Sequence, residues 1–317
     1  MPVPHNRVRV AAILGPTAVG KSAVALAVAP SLRAEIISVD SMQVYRGMDI
    51  GTAKPGVDAR KGVPHHMLDI VDAGSEFSVA RYQEEARRHV EDIASRGRVP
   101  LLVGGTGLYF EAVVFDMRFP PGSRHDAVRR RLQQEAERDP EGMRRRLEQV
   151  DPDFAASNGF ANMRRVVRAM EVCERTGMPF TSFQRKRGEQ ELFYPFAGVV
   201  LNAPREALYR AIERRVDEML AAGLVEEVAR LAREGRLSGT ARQALGYKEI
   251  LGHLDSGIPL EETIFNIKRR SRNYCKRQLT WFRRIPGLRW IELEEDELEG
   301  PSRRVLDLVR SCLKDTL

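Results

Sequence analysis

Over the first 115 residues, apolar positions come in short runs separated by stretches of helical periodicity. Val8 to Leu14 (VRVAAIL), Ala34 to Asp40 (AEIISVD) and Val99 to Gly105 (VPLLVGG) are mostly apolar at successive positions, which predicts strands buried on both faces. His65 to Val71 (HHMLDIV) predicts a further strand. Between them, SVARYQEEARRHVEDIA places Val79, Tyr82, Ala86, Val90 and Ile93 on one helical face. Buried strands alternating with amphipathic helices predict a parallel sheet covered by helices.

From about residue 120 to residue 196 the pattern is charged and helical, with no strand. Its clearest helix, NMRRVVRAMEVCERTG, turns Met163, Val166, Val167, Met170 and Cys173 one way and Arg164, Arg165 and Arg168 the other, with Gly177 and Pro179 as its stop. The run FAGVVL then returns to a strand pattern, followed by helices.

Two glycine-rich turns follow predicted strands. Gly15, Gly20, Lys21 and Ser22 in GPTAVGKS have the G-x-x-x-x-G-K-[ST] spacing of a phosphate-binding loop, set between a strand and a helix as that motif requires. Its glycines let backbone N–H groups close round an anion, Lys21 supplies a point charge, and the Ser22 hydroxyl is a ligand for Mg²⁺. The predicted fold is therefore α/β: a P-loop NTPase-like parallel-sheet core, residues 1–119 and 197–317, with an inserted all-helical domain at 120–196. The second turn, Gly104-Gly105-Thr106-Gly107, offers the Thr106 hydroxyl either to a phosphate oxygen or as a helix cap. Asp40, at the carboxyl end of its strand, is either a water-bridged Mg²⁺ ligand or a general base. Adjacent His65 and His66 point to opposite faces of a strand and suit structural roles. Lys54, in a loop, is placed to touch an anion, with a solvated lysine as the default reading.

Charge sharpens the picture only once it is located. The net charge is +7, yet Lys268 to Arg284 (KRRSRNYCKRQLTWFRR) holds eight basic residues and no acidic one, leaving −1 for the rest. Ile267, Tyr274 and Trp281 recur every seven residues as an apolar stripe; Arg269, Lys276 and Arg283 recur two residues later on the other side. One helix face is expected to pack and the other to present cations to a polyanion. Cys173, Cys275 and Cys312 are too scattered for a disulfide framework or zinc site and read as packing residues. MPVPHNRVRV lacks the apolar core of a signal peptide and no run is long enough to span a bilayer, so a cytoplasmic location is expected.

GPTAVGKS, IISVDSMQVYRGMDIGTAKP, GGTGLYFEA, RRVVRAMEV, QALGYKEI and KRRSRNYCKRQLTWFRR, in this order, make the chain resemble the tRNA dimethylallyltransferases, also called tRNA isopentenyltransferases, of the bacterial type. The likeness runs from residue 8 to residue 285. It implies a phosphate loop of Gly15, Pro16, Thr17, Ala18, Val19, Gly20, Lys21 and Ser22 that holds dimethylallyl diphosphate rather than a nucleoside triphosphate, with Mg²⁺ at Ser22. The acceptor it implies is N6 of adenosine 37, in tRNAs reading codons that start with U. Asp40 would be the base, and Thr106 would bond the oxygen bridging the allylic carbon to the diphosphate. Asp40, Ser41, Met42 and Gln43 would meet an extruded adenine. Some members place an arginine on the diphosphate where Arg242 and Gln243 stand here. Arg129, Arg164, Arg165 and Arg168 would grip the anticodon stem-loop, and Arg269, Lys276, Arg277 and Arg283 its backbone. Many members carry Ile-His-Pro-Asn-Asp where this chain has Ser157 to Asn162. A monomer with tRNA and dimethylallyl diphosphate as partners, away from membranes, is expected. The competing readings are a small-molecule P-loop kinase, prenyl transfer to free adenine nucleotides, and a non-catalytic RNA-binding scaffold.

Overall fold

A strand that is apolar on both faces needs neighbours at its edges and cover above and below. The computed structural model, which describes residues 8–120, 127–156, 162–183 and 191–314, meets both needs. Its strands are β1 (Val10–Leu14), β2 (Ala34–Val39), β3 (Tyr45–Arg46), β4 (His65–His66), β5 (Val71–Asp72), β6 (Val99–Gly104), β7 (Phe196–Asn202) and β8 (Leu288–Glu292). Six of them form one sheet in the order β4-β2-β6-β1-β7-β8, with every pair parallel. β3 and β5 pair separately.

The helices of this unit are α1 (Lys21–Leu32), α2 (Val79–Ser95), α3 (Gly107–Val114), then α8 (Arg205–Ala221), α9 (Leu224–Arg233), α10 (Tyr247–Ser256), α11 (Leu260–Phe282) and α12 (Arg303–Lys314). Val24 and Val28 of α1 and Val305 and Val309 of α12 share a core with Ile13, Leu101 and Leu201 of the sheet. On α2, Tyr82, Ala86, Val90 and Ile93 are buried as their spacing requires, and Ser78 caps the helix by accepting the Arg81 N–H.

HHMLDIV is not one strand. Met67 and Asp69 take left-handed backbone angles, φ 63° and 56°, which break the extended run into β4 and β5. His65 and His66 have structural partners: the Val63 carbonyl at 2.8 Å and Glu35 Oε2 at 2.8 Å.

The chain divides into two compact units, Met1–Val114 with Leu192–Leu317, and Phe115–Glu191. The second contains α4 (Ala127–Arg138), α5 (Pro140–Val150), α6 (Pro152–Ala156) and α7 (Met163–Thr176), with no strand among its described residues. Leu132, Leu147, Phe154, Val166 and Met170 form its core. Gly177, at φ 67°, ends α7 in the left-handed conformation that glycine takes without strain. Of Ser157 to Asn162, where the family pattern departs, all but Asn162 lie outside the described residues.

Candidate active site and nucleic-acid interface

The three predicted motifs leave the carboxyl ends of three neighbouring parallel strands: Asp40 after β2, Gly105 and Thr106 after β6, and the phosphate loop after β1. At the usual strand spacing, Asp40 and the loop stand about 10 Å apart with Thr106 between them. The carboxyl edge of an open parallel sheet is where ligands of such folds bind.

The loop is built by backbone approach. Gly15 has φ 152°, and a Cβ there would lie 2.6 Å from the Leu201 carbonyl oxygen. Ala18 takes a left-handed angle, φ 64°, and Gly20, at φ 80°, opens α1. Lys21 Nζ donates to the Pro16 carbonyl at 2.5 Å, so the lysine folds over its own loop. Its pKa is pushed down to about 7, first by burial and then by the nearby Arg215 charge, with Asp40 pulling the other way. Ser22 is exposed at the start of α1.

Asp40 makes its own turn: Oδ1 accepts from Met42 N–H at 2.8 Å and Gln43 N–H at 3.3 Å. The Thr106 carbonyl starts α3 by accepting from Tyr109 and Phe110 N–H, but its hydroxyl does not cap that helix. Oγ1 instead accepts from Ser41 N–H at 3.3 Å, which ties Thr106 to the residue after Asp40. Burial, and then the Asp40 charge, push the Tyr274 hydroxyl up to about 12, so it stays protonated at neutral pH.

A cavity of about 270 Å³ opens between these elements. Thr17, Asp40, Ser41 and Met42 line it, with Gln243, Tyr274 and Arg277. Ile212, Val216, Met219 and Leu224 give it an apolar wall. Gln243 lines the cavity, whereas Arg242 turns to Asp255 at 3.6 Å. Gln43 is not a lining residue: its Oε1 accepts from Ser38 Oγ at 2.8 Å and its Nε2 donates to the Thr52 carbonyl at 3.1 Å. Bonded at both ends, this amide holds the loop between Ser38 and Thr52.

Sequence reasoning passed over Arg215 of α8. It lines the cavity, lowers the Lys21 pKa and feels Asp40, and it makes no ion pair among the described residues. Burial lowers its own pKa. A polar residue on an otherwise amphipathic helix gives no sequence signal until the fold shows which face it occupies.

The basic helix α11 differs in detail from its heptad reading. Its buried face is Thr263, Ile267, Ser271, Cys275, Gln278 and Phe282, while Tyr274 and Trp281 are half-buried on its flank. An α-helix drifts about 20° per heptad, so a seven-residue stripe leaves the packed face. The cations are not all free either. Lys268 pairs with Asp217, Arg270 with Glu249 at 2.8 Å, and Arg272 with Glu213, all acids brought in by α8 and α10. Arg269, Lys276, Arg277 and Arg283 are exposed and make no ion pair among the described residues.

In the helical unit, Arg164 and Arg165 are exposed on α7. Arg168, expected on the outer face, instead turns to the buried Glu171 at 2.9 Å, and Arg129 lies 3.5 Å from the same carboxylate. Lys54 is also corrected: its side chain is 4% exposed, bound to Asp49 and Asp69 at 2.6 Å each. No group of three or more His, Cys, Asp or Glu gathers as a metal site among the described residues. No described helix is long and apolar enough to cross a membrane.

Residues 43–285 match the family described as IPP transferase. The chain is 48% identical over 288 residues to a tRNA dimethylallyltransferase of Geobacillus kaustophilus, spanning 90% of this chain and 91% of that one. It is 50% identical over 305 residues to a tRNA dimethylallyltransferase of Moorella thermoacetica, spanning 94% of each. Among solved structures, the full-length tRNA isopentenylpyrophosphate transferase of Bacillus halodurans superposes with a TM-score of 0.69 at 38% identity, over 98% of both chains. A eukaryotic dimethylallyltransferase acting on tRNA superposes with a TM-score of 0.79 at 28% identity, over 98% of this chain and 80% of that one.

Proposed function

The chain belongs to the IPP transferase family, and from that premise we infer that it transfers the dimethylallyl group of dimethylallyl diphosphate to N6 of adenosine 37 in tRNA. The acceptor tRNAs are those reading codons that start with U. The observation that carries this reading is the row of Asp40, Thr106 and phosphate loop on adjacent strand ends, with Thr17, Asp40 and an apolar wall facing one cavity. An adenine extruded from the anticodon loop brings N6 to Asp40. The diphosphate lies on the loop N–H groups, Lys21 and Arg215, beside Gln243, and the five-carbon group lies along Ile212, Val216 and Met219.

As the N6–carbon bond forms, the carbon–oxygen bond to diphosphate breaks and its electron pair leaves on the diphosphate. The N6 proton passes to Asp40, whose help matters because the amine lone pair is delocalised into the ring. Thr106 bonds the bridging oxygen, and Lys21 and the loop amides meet the charge that grows there. Ser22 would hold Mg²⁺ together with diphosphate oxygens and water, and that ion supplies further charge neutralisation. Arg269, Lys276, Arg277 and Arg283 give the tRNA backbone a cationic face, and Arg164 and Arg165 grip the stem-loop. We take the enzyme to work as a cytoplasmic monomer.

The test is transfer of label from dimethylallyl diphosphate to unmodified tRNA, with AMP and ATP in parallel. Label mapped to position 37 and missing from free nucleotides is the expected result. Label on free nucleotides alone, or ATP-dependent phosphorylation with no prenyl transfer, would overturn it.

A further inference from the structure

We propose that Gln278 is a positioning residue that holds the phosphate loop and the Gly105–Thr106 turn in fixed register. This rests on the transferase reading above and adds a residue to it. Gln278 sits on the inner face of α11 at 5% exposure. Its Oε1 accepts the Thr17 N–H at 2.9 Å, and its Nε2 donates to the Gly105 carbonyl at 2.9 Å. One planar amide thus joins the ends of β1 and β6, neighbours in the sheet, from a helix that lies far along the chain from both.

The fit leaves no slack. A Cβ on Gly105 would lie 2.2 Å from Gln278 Nε2 and 3.3 Å from the Gly15 carbonyl oxygen, so only glycine lets the turn, the loop and the amide meet. One helical turn earlier, Tyr274 of the same helix lines the cavity with Thr17 and Asp40. The same amide therefore holds the backbone next to Thr106, the group that meets the bridging oxygen, and the loop that meets the diphosphate. A misplacement of about 1 Å between such groups can cost about 10²-fold in rate.

The chemistry selects glutamine. The site needs one acceptor and one donor on a neutral side chain. Lysine and arginine offer no acceptor, methionine offers no strong partner to either group, and an ionised glutamate would lose the donor and set a negative charge beside a diphosphate. Nothing in this role requires contact with tRNA. The RNA-facing Lys276 and Arg277 stand two residues and one residue away on the exposed side.

The experiment uses the full-length protein with unmodified tRNA and dimethylallyl diphosphate, comparing Gln278→Met and Gln278→Glu with wild type. Wild-type transfer to tRNA is the control: if it fails, the functional reading falls and not this role. For Gln278→Met the expected result is a KM for dimethylallyl diphosphate raised about 10-fold and a kcat lowered about 10- to 100-fold. The tRNA Kd stays within about twofold, because the exposed cations are untouched. For Gln278→Glu, activity relative to wild type rises as pH falls, because a protonated carboxyl regains the donor to the Gly105 carbonyl. Wild-type kcat and KM in both variants would overturn the proposal. So would a loss that appears only alongside weakened tRNA binding and a lowered melting temperature, or a Gln278→Glu defect that ignores pH. Should Gln278→Met fail to fold, the Gln278→Glu pH profile still decides.

Discussion

Asp40 Oδ1 accepts the Met42 N–H at 2.8 Å, so the residue assigned as base also builds the turn that displays it. Asparagine keeps that acceptor and loses only the charge and the basicity. Asp40→Asn is therefore expected to lower the single-turnover transfer rate by about 10²–10⁴-fold, the usual worth of a positioned base. The tRNA Kd, measured by filter binding, should remain within about twofold. Weakened tRNA binding with normal chemistry on bound complexes would contradict the assignment. Asp40→Ala removes the turn acceptor as well and is expected to lower stability too.

Lys21 gives the protein a pH signature. Its pKa falls from 10.5 in an open chain to about 7, chiefly through burial and then through Arg215. Between those values the unfolded chain holds a proton that the folded protein does not, so this group makes stability rise with pH across that window. Lys21→Met removes the group. Its gain in melting temperature over wild type should be largest at and below pH 7 and shrink towards pH 10, by calorimetry. Bound diphosphate restores the charge on Lys21, so binding at pH 8 should take up a proton. Titration calorimetry in two buffers of different ionisation enthalpy measures that uptake. In Arg215→Gln one source of the depression is gone, and the uptake at pH 8 should fall while diphosphate affinity drops.

Much of this site was legible in the sequence because buried strands announce themselves as apolar runs and end at recognisable turns. Gly15 to Ser22, Asp40 and Thr106 all follow such runs, and the sheet brings their three strands side by side. Gln278, Arg215 and Glu227 were not legible. Each is a polar residue on an amphipathic helix, where periodicity marks only the apolar part of the buried face. Their partners lie far along the chain, and polar pairing over such spans has no periodic trace. Lys54 failed for the same reason, since Asp69 and the Tyr45 carbonyl that hold it are neighbours only in the folded loop. The cationic helix looked unpaired because its acids, Asp217, Glu249 and Glu213, belong to other helices.

That pairing divides the cations into two classes with different salt behaviour. Removing one cation that touches a phosphate should flatten the dependence of log K on log salt by about one. Lys276→Ala and Arg283→Ala are expected to do so, since both are exposed and make no ion pair among the described residues. Lys268→Ala should change the slope by less, because Asp217 already neutralises that charge at 2.7 Å. Equal slopes for all three variants and wild type, read from tRNA binding at several salt concentrations, would mean that the face is merely solvated.

Glu227 of α9 closes the loop that borders the cavity. Its Oε2 accepts from Asp49 N–H at 2.9 Å and Ile50 N–H at 2.8 Å, and its Oε1 accepts from Gly51 N–H at 3.1 Å and from the Tyr247 hydroxyl. The side chain is buried, and Gly51 and Thr52 of the loop line the cavity. Glu227→Ala removes the acceptor of three backbone donors and a phenol. A loss of about 3–5 kcal/mol in urea unfolding is expected, below the sum of separate penalties because the loop can relax towards water. Tyr247→Phe removes only one of the four donors and should cost about 1 kcal/mol. Hydrogen exchange separates a local from a global effect: in Glu227→Ala the Asp49, Ile50 and Gly51 amides should exchange far faster than the amides of β1 and β6. If all amides speed up equally, Glu227 supports the fold as a whole rather than this loop.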